Sequence, residues 1–183
     1  MGLRRSFKPA NIVVNSDFSN GITDWNPVAA SVLVANNEAT VLATAQYGSI
    51  SSKVFNVVGS HKYYYRVYLK TGQPFITLRF YDGTALTANT HSGSGNYELL
   101  SGIRTAASDK STGFIRVQDS NASGWADVYV KEFMGIDLTI VLPADILALS
   151  DANLKTWCNH NLPCWFDGRL SGGSFGGIGG GLR

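Results

Sequence analysis

The sequence predicts an all-β fold, an antiparallel jelly-roll β-sandwich that ends in a short helical segment and a Gly-rich tail. Three observations carry that expectation. From about residue 11 to residue 135, apolar and polar residues alternate with a period of two, as half-buried strands require. Turn-forming residues cut this alternation into short runs, with no helical stretch between them. Of the 183 residues, 44% are hydrophobic, only 15% are charged and 20 are glycine. Such a composition resembles an all-β extracellular or virion protein more than a cytosolic enzyme.

The expected strands, in order, are 11–15 (NIVVN), 30–35 (ASVLVA), 39–45 (ATVLATA), 49–57 (SISSKVFNV), 61–70 (HKYYYRVYLK), 74–81 (PFITLRFY), 97–104 (YELLSGIR), 113–118 (GFIRVQ) and 125–133 (WADVYVKEF). Between them lie Asn20-Gly21, Asn36-Asn37, Gly59-Ser60, Thr71-Gly72 with Pro74, Asp82-Gly83, the run 92–95 (SGSG), and 121–124 (NASG). Each supplies the positive φ, fixed φ or side-chain acceptor that a tight turn needs. After Gly135 the signals become helical. Pro143 suits a helix start, Ser150 an N-cap with Asp151 behind it, and Leu154, Trp157 and Cys158 share a helical spacing. Pro163 stops that helix, and 171–183 (SGGSFGGIGGGLR) reads as a flexible tail. The expected organisation is therefore a basic arm over 1–10, a sandwich over 11–135, a helical appendage packed on it over 136–170, and the tail.

A net charge of +2 argues against nucleic acid or an acidic membrane surface as partner. No run approaches the roughly 18 apolar residues of a membrane span, and the first residues lack the apolar run of an export signal. An unexported chain sits in a reducing compartment, so Cys158 and Cys164 are expected as half-buried free thiols. A disulfide formed later is the alternative, and His160 between them leaves a zinc site one ligand short. The acidic residues fall mostly in turns or at element ends, and no nucleophile, P-loop or metal-hydrolase motif is present. The expectation is a binding protein, not an enzyme.

The order of several motifs carries a resemblance. Residues 11–25, NIVVNSDFSNGITDW, resemble the opening of jelly-roll carbohydrate-binding modules of the family 4 and 9 type. KYYYRVYLK and PFITLRFYDG are similar to that family's central strands, GNYELLSGIRTAA to a later one, and FIRVQDSNASGWADVYVKEF to its closing hairpin. Together they span about residues 11–135. The family often holds a structural Ca²⁺. The resemblance maps its carboxylates onto Asp17 and Asp127, while Ser19 stands where the usual Glu would be, which weakens the set for an ion wanting six to eight oxygens. Residues 137–168, DLTIVLPADILALSDANLKTWCNHNLPCWFDG, are similar to the ends of modules in bacteriophage tail, fibre and baseplate proteins, without the glycine-rich element usual there. That likeness implies a virion structural protein, assembled in the bacterial cytoplasm as a homo-oligomer or with other virion proteins. Its contacts would be Arg4, Arg5, Lys8, Trp157, Trp165 and Phe175. A free-standing or enzyme-appended carbohydrate-binding module is the alternative.

Strand alternation also sorts faces. In 61–70, Tyr63, Tyr65, Val67 and Leu69 read as core, which turns Tyr64, Arg66 and Tyr68 outward. The same parity sends Arg79, Tyr81 and Arg116 outward from 74–81 and 113–118. If these strands share a sheet, its outer face interleaves aromatic rings with guanidinium groups. That mixture suits sugar stacking, a protein interface, or a plain solvated sheet.

Overall fold

The computed structural model of the chain describes residues 11–83, 86–120 and 127–162. These form eleven strands, β1 Trp25–Val28, β2 Ala30–Ala35, β3 Glu38–Ala43, β4 Ser49–Ser52, β5 Phe55–Val57, β6 Lys62–Lys70, β7 Ile76–Tyr81, β8 Leu86–Thr90, β9 Tyr97–Thr105, β10 Lys110–Asp119 and β11 Val128–Asp137. Three helices follow, α1 Leu138–Val141, α2 Ala144–Leu147 and α3 Asp151–Asn161. The first sheet has the order β1-β4-β10-β7-β8, with β5 also on β10, and the second the order β2-β3-β11-β6-β9. Every pairing is antiparallel. The architecture is the expected jelly-roll sandwich.

The inward rows of the two sheets meet in one core. Tyr63 and Tyr65 of β6 lie 5.3 and 5.4 Å from the Phe80 ring of β7, with Ile50, Leu78, Ile115 and Val130 around them. Gly102 is the register partner of Tyr65, and a Cβ there would come within 2.5 Å of the tyrosine ring and hydroxyl. The absence of a side chain at 102 is what lets the large ring lie flat against β9.

Four expectations about elements need correction. Residues 11–15 do not form a strand. Asn15 has φ +52°, and the segment proceeds by turns pinned to β11, with the Ile12 amide on the Gly135 carbonyl at 2.8 Å. The stretch 49–57 breaks at Lys53 and Val54, so β4 and β5 both pair along β10. β1 escapes a sequence reading because Pro27 interrupts it; proline is tolerated there because β1 is an edge strand. β8 (LTANT) lacks the large alternating apolar residues that announce a strand.

The segment after Gly135 is continuous with the sandwich. β11 runs past the expected boundary to Asp137, which caps α1 by accepting from the Thr139 amide at 3.0 Å and meets His61 at 2.7 Å. Ser150 caps α3 as anticipated. Leu154 and Cys158, one turn apart, are fully buried with Leu162 against Tyr64, Ile103, Met134 and Ile136 on the outer face of the second sheet. This makes a second, smaller core.

Candidate functional site

The outward residues predicted to form one surface lie on opposite sides of the sandwich. β6 belongs to the second sheet, whereas β7 and β10 are neighbours in the first. Tyr64, Arg66 and Tyr68 therefore never meet Arg79, Tyr81 and Arg116. Tyr64 and Arg66 do point outward, but α3 covers them, leaving 0% and 1% exposure. The Tyr64 hydroxyl donates to Asn159 Oδ1 at 2.7 Å, and Arg66 Nη1 donates to the Leu162 carbonyl at 2.9 Å. Burial raises the Tyr64 hydroxyl well above the usual phenol range, so it stays a neutral donor. Neither side chain is open to a sugar or a second chain. The signal for this cover was present in β11, whose outward residues Met134 and Ile136 are apolar and need something over them.

Tyr68 remains half-buried beyond the helix, 6.0 Å from the Arg66 guanidinium. Trp157 packs partly buried on the second core, so its ring serves the fold rather than standing out as a contact. Cys158 is a fully buried free thiol, pushed up to about 12 by that burial. Asp17 accepts from the Ser19 amide at 3.1 Å, a local turn bond, and Asp127 is exposed just before β11. Among the described residues no group of three or more His, Cys, Asp or Glu side chains gathers to hold a metal. Arg4, Arg5, Lys8, Cys164, Trp165 and Phe175, with the Gly-rich tail, lie outside the described residues.

The face that carries chemistry is the outer side of the first sheet, opposite the helix. Register brings Phe114 beside Tyr81, Arg116 beside Arg79, and Gln118 beside Thr77 on β10 and β7, while β4 sets Ser51 against Arg116. The Phe114 and Tyr81 rings stack with centroids 4.6 Å apart and planes 23° apart. Arg116 lies 4.7 Å from the Phe114 centroid, and its Nε donates to Ser51 Oγ at 2.9 Å. The row Tyr81–Phe114–Arg116–Ser51 thus crosses three strands. Arg79 Nε is held by Thr77 Oγ1 at 3.0 Å. Partial burial, and then the Arg79 charge opposite, push the Arg116 guanidinium down from its ordinary value.

Beside this row, Asn26, Ser51, Ser52, Lys53, Phe114 and Arg116 line a groove of about 350 Å³ that Asp24 and Trp25 close. That is the small end of ligand sites, about 300–1,000 Å³. Its only carboxylate among the described residues is Asp24, bound to Lys53 at 3.0 Å. A hydrolytic pair of acids is therefore not assembled in the groove. Sequence reasoning left Phe114 out of the site although its parity matched Arg116. It missed Asn26 and Ser51 because their placement depends on β1 and the broken 49–57 strand.

No family model and no curated protein matches the sequence. Solved structures do match in fold. An arabinose-bound α-L-arabinofuranosidase superposes with a TM-score of 0.55 at 11% identity over 69% of this chain. A family 16 carbohydrate-binding module gives 0.50 at 14% identity over 68% of this chain and 99% of its own. The fold is that of a carbohydrate-binding module. A CBM4 structure also aligns, with a TM-score of 0.48 at 15% identity over 72% of this chain and 96% of its own. The carbohydrate-binding-module fold accounts for nearly all of the family 16 module, whereas the chain spans only 26% of the arabinofuranosidase.

Proposed function

We propose that this chain is a carbohydrate-binding module that holds a glycan on the outer face of its first sheet, by contact and without turnover. One observation carries the reading. The Phe114–Tyr81 stack, flanked by Arg116, borders a groove with the hydroxyls of Ser51 and Ser52, the Asn26 amide and the Lys53 ammonium. Ring edges and faces take the C–H surface of a pyranose, and the polar rim takes its hydroxyls. The opposite sheet offers no such site at Tyr64 and Arg66, because α3 occupies it.

A glycan array tests this. Wild-type protein should bind at least one glycan. Phe114→Ala and Tyr81→Ala should each weaken that binding about 5- to 150-fold, as expected for about 1–3 kcal/mol of lost stacking and packing. Tyr97→Ala, on the second sheet, should leave it unchanged. Loss with Tyr97→Ala but not with the other two would move the site to the opposite face and overturn the proposal. What supports a virion setting is the resemblance of residues 137–168 to phage tail modules. Its test is incorporation of a tagged copy into phage particles.

A further inference from the structure

The first-sheet face has a feature that neutral sugar binding does not require. Arg79 and Arg116 are register partners on adjacent strands, both outward, so their Cβ atoms sit about 4.5–5.5 Å apart. Like charges placed opposite each other destabilise a sheet. The Phe114 ring takes part of the Arg116 charge, but among the described residues no carboxylate forms a salt bridge with either guanidinium. Lys53 adds a third cation, and Asp24, the one acid in the groove, is already taken by it.

The hydrogen bonds orient both groups. Each Nε is tied to a hydroxyl of the same face, Arg79 to Thr77 and Arg116 to Ser51. Among the described residues, no hydrogen bond takes up the terminal Nη atoms of either side chain. Arg116 leans over Phe114 toward Ser51 and Arg79 toward Thr77, so both guanidinium groups are anchored on this face beside the aromatic row, with the Arg79 charge still acting on Arg116 across the strands. Partial burial of Arg116 strengthens its pull on an anion there.

We propose that this face selects an acidic glycan, a polysaccharide whose sugars carry carboxylates, with Arg79 and Arg116 gripping one carboxylate between them. The assignment rests on the glycan-binding reading above and names the ligand class for the same site. A carboxylate accepts two parallel N–H bonds from one fork and a further N–H bond from the other, and its charge removes the repulsion between them. The sugar ring bearing it would lie toward Phe114 and Tyr81, one row along the strands.

The test is an array of oligogalacturonate, oligomannuronate and hyaluronan oligosaccharides, each beside its carboxyl-methylated twin, with neutral glucan and xylan oligomers included. At least one free acid should bind about tenfold or more tighter than its ester, the factor that corresponds to one well-placed charge-assisted pair. Raising salt from about 0.05 to about 0.5 M should reduce that advantage, though less than for fully exposed charges, because Arg116 is partly buried. Arg79→Gln and Arg116→Gln should each bring acid and ester to within about threefold of one another, with thermal melts confirming that both variants fold. Equal wild-type binding of acid and ester, or binding of neutral oligomers alone, overturns the acidic-glycan assignment and leaves the glycan reading standing. No binding to any glycan overturns both. The acid–ester comparison uses the wild-type protein, so it holds even if a variant fails to fold.

Discussion

Asn15 shows how a residue that reads as part of a ligand-binding signature serves the fold. It is fully buried, and its amide donates to the Gly21 and Thr23 carbonyls at 2.9 and 2.8 Å. Its Oδ1 accepts from Asn20, and its own carbonyl takes the Trp25 indole N–H at 2.9 Å. Trp25 in turn lies 4.7 Å from both Phe18 and Phe133. Asn11 does similar work, bridging the Phe133 carbonyl and the Gly135 amide beside the irregularity in β11. The motif NSDFSNGITDW is therefore a latch that closes one end of the core. Asn15→Ala strips three part-buried side-chain bonds at about 1 kcal/mol each, which costs about 3 kcal/mol. In a chain of this length that lowers Tm by about 6–12 °C, measurable by calorimetry with glycan absent. A shift below about 2 °C would show that the latch is dispensable. Alternation misread this stretch because Asn11, Val13 and Asn15 do face inward in turn. Successive turns, one with a left-handed asparagine, produce the same two-residue rhythm as a strand.

Between strands, the loop that joins β8 to β9 is organised by one carboxylate. Glu98 accepts from the Ser92 amide at 3.0 Å, from the Ser92 hydroxyl, and from the Ser94 hydroxyl at 2.7 Å, with His91 Nε2 at 3.6 Å. The Ser92 hydroxyl and amide, then Ser94, hold its pKa down at about 2. A folded pKa below the unfolded one means that the stabilisation is present above the usual carboxylate range, near pH 4.5, and is lost as pH falls toward 2. Amide exchange at Ser92 and Ser94 should therefore accelerate, relative to the core strands, across that window. Glu98→Gln should show fast exchange already at pH 6 and no step. A step retained in Glu98→Gln would assign it to another acid. At this scale the sequence was legible within strands and silent between them. The parity of β6 placed Tyr63 and Tyr65 inside and Tyr64, Arg66 and Tyr68 outside correctly. Which sheet β6 joined is set by long-range ladders to β9 and β11, which no local period encodes. Arg79, Tyr81 and Arg116 were grouped correctly because β7 and β10 are direct neighbours.

For the whole molecule, the decisive feature is that the sandwich has two cores, and the second is shared with the helical segment. Residues 136–170 were expected as a helical appendage packed on a sandwich that ends at residue 135. The rungs Ile136–Tyr64 and Asp137–Tyr63 instead belong to the β11–β6 ladder, and Leu154, Cys158 and Leu162 cover Tyr64, Ile103, Met134 and Ile136. The same arrangement divides labour between faces: α3 covers the part of one sheet around Tyr64 and Arg66, and the other sheet presents Phe114, Tyr81 and the two arginines. A chain ending after residue 141 keeps every strand and α1 but uncovers that apolar patch. Leu154 and Leu162, 0% and 2% exposed, each contribute about 1.5–3 kcal/mol of burial. Their loss, about 3–6 kcal/mol together before counting Trp157, should lower Tm by at least about 6 °C and raise binding of an apolar dye. Leu154→Asp in the full chain should do the same in smaller measure by forcing a charge into the patch. Glycan binding per folded molecule should survive both changes, because the first-sheet face touches none of these residues. A truncated chain that melts like wild type would show that α3 merely rests on the sheet. Lost binding in a still-folded Leu154→Asp protein would place the ligand on the helix side and reverse the assignment of faces.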